Sequence, residues 1–123
     1  MIAMLRTVDL KKYFRVGKSK FLHAVDGVNL EITAGSTLGV VGESGCGKST
    51  LGRLVMGLLP ATSGEIFYDG VDILHCGKAE LTERRRKMQI IFQDPFSSLN
   101  PRMSVFELIS EPLVMNRACK NRK

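Results

Sequence analysis

No apolar run in this 123-residue chain approaches the roughly 18 residues needed to cross a bilayer. The first residues, Met1-Ile2-Ala3-Met4-Leu5-Arg6, lack the charged region, long apolar stretch and cleavage site of a secretory signal, which predicts a chain that stays in the cytoplasm. Cysteine is scarce. Cys46, Cys76 and Cys119 form an odd, widely spaced set with no C-x-x-C pair, so free reduced thiols are expected rather than a disulfide framework or a metal site. Internal repeats and low-complexity segments are also absent. His23 and His75 have no carboxylate or cysteine at a useful spacing, and neither is assigned a role.

The remaining composition is that of a globular domain, with 44% hydrophobic and 24% charged residues. A chain of this length can bury roughly two thirds of its unfolded surface. The net charge of +6 and pI near 9.5 suit a solvated basic surface, nucleotide phosphates, nucleic acid or an anionic membrane leaflet, and charge alone does not choose among them. The basic run Arg84-Arg85-Arg86-Lys87 has no aromatic residues interleaved, so it reads as a solvated helix face and not as a nucleic-acid contact.

Residues 4–33 alternate imperfectly between apolar and polar, which predicts two or three antiparallel strands with Gly17-Lys18-Ser19 as the turn. Thr37 to Val41 is nearly all apolar and is expected to be a strand covered on both faces. Leu51, Leu54, Val55, Leu58 and Leu59 fall at helical spacing, and Pro60 marks the expected end of that helix. Gly64 to Tyr68 reads as a strand closed by the turn pair Asp69-Gly70. Residues 79–88 suit a short basic helix, Gln89 to Phe92 a buried strand, and Asp94 to Arg102 a loop. Ser104-Val105-Phe106-Glu107 has capping-box spacing and should open a helix that Pro112 kinks or ends. The polar, basic stretch from Asn116 to Lys123 is expected to fray.

Residues 42–50, GESGCGKST, match the pattern G-x-x-x-x-G-K-[ST] between an expected strand and an expected helix. The chemistry explains the residue types. Backbone N–H groups can turn inward around phosphates where the chain adopts conformations open to glycine, which suits Gly42, Gly45 and Gly47. The following helix adds its unpaired N–H groups and the positive end of its dipole. Lys48 can reach the β- and γ-phosphates, and the Ser49 hydroxyl can ligate Mg²⁺. Thr50 is a further phosphate contact, Ser44 belongs to the same binding set, and Cys46 fills a small position in the turn and is not read as a nucleophile.

A phosphate loop alone fits kinases, GTPases, helicases and transporters. Met88 to Met103, MQIIFQDPFSSLNPRM, resembles the Q-loop of ABC ATPases, specifically of the oligopeptide, dipeptide and nickel importer group, and most nearly the second of its paired ATPase subunits. LKKYF (10–14), AVDGVNLEI (24–32) and ATSGEIFYDG (61–70) resemble the same group, so the likeness runs from about Leu5 to Val114. The resemblance implies an α/β fold: a partial P-loop NTPase core with an N-terminal antiparallel β subdomain. The division expected is 1–36 mainly antiparallel β, 37–94 the core, and 95–123 the Q-loop and the start of a helical subdomain. It implies ATP and Mg²⁺ as ligands, with Lys48 and Gln93 catalytic, Ser49 and Gln93 at the metal, and Tyr13 stacked on adenine with Phe14 as the adjacent alternative. An amide at Gln93 suits the role, because it can accept from water and donate to phosphate without titrating. Pro95 to Arg102 resembles the segment that meets the coupling helix of membrane subunits. The partners implied are transmembrane permease subunits and a second ATPase subunit, with the chain peripheral on the inner face of the membrane.

The same resemblance requires a Walker B strand ending in Asp-Glu, a signature loop of the LSGGQ type and a switch histidine. None is present in this sequence. Ile90-Ile91-Phe92-Gln93-Asp94 imitates Walker B, but glutamine interrupts it and proline follows. The expectation is a chain truncated before those motifs, poorly soluble in isolation and without ATP turnover. The competing readings are an inactive nucleotide-binding fragment, and a non-transport kinase or GTPase that uses Asp94 for Mg²⁺.

Overall fold

The computed structural model describes residues 3–116, which form two compact units, one up to Met88 and one from Gln89 onward. In the first, β1 (Ala3–Arg15) pairs antiparallel with β2 (Phe21–Thr33), with β3 (Ser63–Tyr68) on its other side, and β4 (Val71–Asp72) extends the sheet in the order β2-β1-β3-β4. The connection from β1 to β2 spans the expected turn and is closed by Val16 N–H donating to Lys20 O at 3.0 Å. Asp69 and Gly70, both at positive φ, turn β3 into β4.

The imperfect alternation of β1 has a local cause. Leu5 and Thr7 face the core at period two, but the next buried residue is Leu10, so the parity changes between them. Thr7 pairs with Leu30 and Leu10 with Val28, three steps on β1 against two on β2. The extra residue is a bulge near Asp9, whose φ is 45°. A single-parity reading of the strand therefore fails at that point. Thr7 is buried without penalty: its hydroxyl donates to Val28 O (2.9 Å) and accepts from Leu30 N–H (3.1 Å).

Helix α1 (Lys48–Val55) packs on this sheet through Leu51, Leu54 and Val55, and Leu54 joins Leu5, Leu10, Val25, Ile66, Tyr68 and Ile73 in the core. The helix is shorter than its apolar stripe suggests. Gly57, at φ 64°, ends it before Pro60: Gly57 N–H donates to Leu54 O and Leu58 N–H to Arg53 O, both 2.9 Å. These are the paired bonds of a Schellman closure, which places Leu58 outside the helix and leaves it largely exposed.

Helix α2 (Lys78–Arg86) matches the expected basic helix, but its arginines are more than a solvated face. Arg84 Nη1 bonds Asp69 Oδ2 at 2.8 Å, and Arg85 Nη2 donates to Gly57 O at 2.6 Å. Both tie α2 to turns of the same unit. Arg86 makes a local pair with Glu83 (3.1 Å).

Two expected strands are not formed. Residues 37–41 and 89–92 pair with no strand among the described residues, and Val41 and Ile91 are 94% and 95% exposed. An apolar segment becomes a strand only when a neighbour satisfies its N–H and C=O groups, and neither segment has a paired neighbour among the described residues.

In the second unit, Asp94 to Arg102 contains a short helix where a loop is expected. In α3 (Pro95–Ser98) proline takes the first turn, and Asp94 caps it by accepting from Phe96 N–H (3.0 Å) and Ser97 N–H (3.4 Å). Helix α4 (Val105–Met115) opens with the expected capping box: Ser104 N–H donates to Glu107 Oε2 (2.8 Å), and Ser104 Oγ accepts from Glu107 N–H (3.3 Å). Pro112 lies inside α4 and does not end it; Asn116 N–H still reaches Pro112 O at 3.0 Å. Beyond Asn116, the expected fraying and Cys119 lie outside the described residues. Among the described residues no helix is long and apolar enough to cross a membrane.

Candidate phosphate-loop site

Residues 42–47 form an exposed turn that ends on Gly47, the N-cap of α1, at φ 85° and ψ 35°. No side chain caps this helix, so its first N–H groups remain available to an anion at the positive end of the dipole. The Lys48 ammonium folds back over the turn and donates to Gly42 O (2.8 Å) and Glu43 O (3.1 Å). One cation and the uncapped start of a helix thus meet at the same turn, an arrangement that suits phosphate.

The glycines are required by different constraints. A Cβ on Gly42 would come within 2.5 Å of Cys46 Sγ, so the exposed Cys46 thiol lies close against Gly42 and leaves no room for a side chain there. Gly47 is held by conformation and by space together, since its Cβ would lie 2.0 Å from Ala24 O. Ser49 and Ser44 are exposed, while Thr50 is half-buried.

Beside the turn is a cavity of about 350 Å³ with walls from β2, from Val40 and Val41, and from Cys46 to Leu51. Tyr13 does not line it. The Tyr13 ring is stacked on His23, with centroids 3.8 Å apart and planes 13° from parallel, and His23 is the ring that reaches the cavity. Tyr13 Oη donates to Asp26 Oδ1, and His23 Nδ1 lies 3.5 Å from Asp26 Oδ2. The hydrogen bond to Asp26 raises the Tyr13 pKa, and the same bond, ahead of the contact with His23, lowers that of Asp26.

His23 is the residue that spacing misses. Residues three apart on a regular strand face opposite sides, so Asp26 does not look like a partner for His23. Yet Lys12 pairs with Val25 and Tyr13 with His23, leaving Ala24 as an extra residue on β2. This bulge turns His23 and Asp26 to one face, and the Ala24 carbonyl is the one pressed against Gly47. Phe14, the alternative stacking residue, instead has the Lys12 ammonium over its ring at 5.1 Å.

Gln93 lies in the second unit, exposed and just ahead of α3. Asp94, the candidate Mg²⁺ ligand of the kinase or GTPase reading, has one carboxylate oxygen engaged as the cap of α3.

An antiparallel β subdomain beside an uncapped, glycine-bounded loop and helix defines a phosphate-loop protein. The ABC transporter family profile matches residues 25–122, and the chain belongs to that family. It is 47% identical over 118 residues to the dipeptide transport ATP-binding protein DppF of Escherichia coli, covering 92% of this chain and 35% of that protein. It is 45% identical over 122 residues to the putative oligopeptide transport ATP-binding protein YkfD of Bacillus subtilis, covering 99% of this chain and 37% of that one. Among solved structures, the dimeric ATP-binding cassette MJ0796 in a post-hydrolysis state with ADP and Pi superposes with a TM-score of 0.81 at 30% identity, over 92% of this chain and 48% of the other. The chain therefore spans little more than a third of the length of the curated relatives it matches. The fold is that of a partial ATP-binding cassette.

Proposed function

We propose that the chain is the ATP-binding part of an ABC transporter ATPase that energises peptide import. The observation that carries this is the Lys48 ammonium, held by Gly42 O and Glu43 O over the uncapped start of α1. Gly42, Ser44, Gly45, Cys46, Gly47, Lys48, Ser49 and Thr50 form the triphosphate set, and the Ser49 hydroxyl meets Mg²⁺. Gln93 is the amide that senses the γ-phosphate and its metal, and Tyr13 belongs to the base end of the site. The peptide substrate class follows from the names of DppF and YkfD.

In this reading residues 1–36 are the antiparallel subdomain, 37–94 the core, and 95–123 the Q-loop and the start of a helical subdomain. Residues 95–102 dock on transmembrane permease subunits at the inner face of the membrane, and a second ATPase subunit closes the site. The alternative of an inactive nucleotide-binding fragment keeps the same site and removes only the turnover. The sequence lacks the Asp-Glu of Walker B, the signature loop and the switch histidine, so these 123 residues bind ATP without turning it over. Calorimetry of ATP binding to the chain and to Lys48→Ala tests the assignment. Loss of an ion-assisted hydrogen bond should weaken binding about ten- to a hundredfold. Equal affinity of the two proteins, or steady phosphate release by the wild-type chain, would count against it.

A further inference from the structure

We propose that the tip of the β1–β2 hairpin, from Phe14 to Leu22, docks on an anionic lipid surface. The contact is separate from nucleotide binding and from the permease docking proposed for residues 95–102. Charge carries the first part of the case. Residues 10–25 hold five of the chain's eighteen basic residues and none of its twelve acidic ones. Lys11 is paired with Asp9 at 2.9 Å, but Lys12 and Arg15 direct their hydrogen bonds to backbone carbonyls, Pro60 O (2.6 Å), Gly17 O (3.0 Å) and Lys18 O (2.9 Å). Lys18 and Lys20 are exposed and meet no carboxylate among the described residues. Helix α2 is the contrast, since Arg84 and Arg86 there pair with Asp69 and Glu83.

Shape carries the second part. β3 pairs with β1 only as far as Lys11 and Ser63, so beyond Tyr13 the hairpin is a ribbon of two strands. Such a ribbon is marginal in water on its own. This one is pinned: Val16 N–H donates to Lys20 O (3.0 Å), and the Arg15 guanidinium clasps the turn through Gly17 O and Lys18 O. The tip holds its shape while Val16, Phe21 and Leu22 are each more than half exposed. Cross-strand pairing sets Phe14 opposite Leu22 and Arg15 opposite Phe21, so apolar and cationic side chains are interleaved across the tip. That combination suits anionic headgroups lying over hydrocarbon, where each Lys or Arg near the surface adds about fivefold to the binding constant. Nucleic acid fits less well, because stacking uses open rings and the Phe14 ring carries the Lys12 ammonium over it at 5.1 Å.

Flotation with protein-free vesicles tests the proposal, because bound chain rises with the lipid and aggregate does not. Vesicles of phosphatidylcholine, and of equal parts phosphatidylcholine and phosphatidylglycerol, are offered to the 123-residue chain and three double variants. These are Lys18→Glu/Lys20→Glu, Val16→Ser/Leu22→Ser, and Lys78→Glu/Lys87→Glu, which makes the same charge change at the two ends of α2. Thermal melts check folding, and Lys18→Gln/Lys20→Gln takes the place of a charge reversal that does not fold. The wild-type chain should float only with phosphatidylglycerol, and less as salt rises. The hairpin charge reversal should weaken binding at least about twentyfold, and the α2 reversal far less. Val16→Ser/Leu22→Ser should weaken it about tenfold. Absence of wild-type flotation with phosphatidylglycerol, unaltered flotation of the hairpin variants, or equal losses from the two charge reversals would overturn the proposal. Tighter binding of a single-stranded DNA oligonucleotide than of vesicles, lost in the same hairpin variant, would assign the tip to nucleic acid instead. ATP titrations are read independently: a chain that binds no ATP yet floats with phosphatidylglycerol would refute the nucleotide reading alone.

Discussion

Gly47 and Ala24 are 23 residues apart in sequence, yet a Cβ on Gly47 would lie 2.0 Å from the Ala24 carbonyl oxygen. The N-cap of the phosphate-loop helix is thus seated directly on the bulge of β2. Gly45 has a similar φ, 80° against 85°, but a Cβ there meets nothing within 4 Å. The two alanine variants should therefore differ. Gly45→Ala should cost about 1–2 kcal/mol, from the left-handed conformation alone. Gly47→Ala should cost distinctly more, because β2 or the loop must also move. Denaturant unfolding of the two variants measures the gap, and equal losses would mean that the contact with Ala24 yields freely.

Ser49 is exposed on the first turn of α1, so its removal should leave the fold alone. Ser49→Ala should melt like the wild type and weaken Mg²⁺-ATP binding about threefold to tenfold, the span expected for one neutral polar contact. With Mg²⁺ removed by a chelator, wild type and variant should bind ATP alike. Titrations with and without the metal separate the two cases, and a difference that survives chelation would remove Ser49 from the metal.

His75 and Asp72 should make stability depend on pH. The His75 Nδ1 lies 2.5 Å from Asp72 Oδ2, and this bond raises the His75 pKa above its ordinary 6.5. For Asp72, partial burial acts upward, but the bonds from His75 and from Leu74 N–H prevail and hold its pKa below 3.8. The histidine contribution is complete below pH 6.5 and fades as pH rises through the raised value. The aspartate contribution is complete above pH 3.8 and fades as pH falls through the lowered value. Tm should accordingly decline as pH rises from about 6 to 8, and His75→Ala should flatten that slope. An unchanged slope in the variant would assign the pH dependence elsewhere.

Much of this architecture is legible locally. The capping box at Ser104 and Glu107 forms as its spacing predicts, because both hydrogen bonds close within four residues. The same holds for the turn at Asp69-Gly70 and for the glycine-bounded loop ahead of Lys48. The failures are of another kind. The apolar stripe runs past Gly57, yet the helix stops there because glycine takes the left-handed φ that two backbone bonds then exploit. Asp94 looks like the end of a Walker B strand and instead caps α3.

The sequence by itself determined the chemistry of the loop, since the types and order of Gly42, Gly45, Gly47, Lys48 and Ser49 suit no partner better than phosphate. It also determined the family, through the run from Met88 to Met103. Only the tertiary structure decided which ring faces the cavity. His23 and Asp26 meet because one unpaired residue, Ala24, shifts the register of β2 against β1, and a register shift is a relation between two strands. For the same reason the apolar runs at 37–41 and 89–92 do not become strands on hydrophobicity alone: a strand is completed by its neighbour's hydrogen bonds.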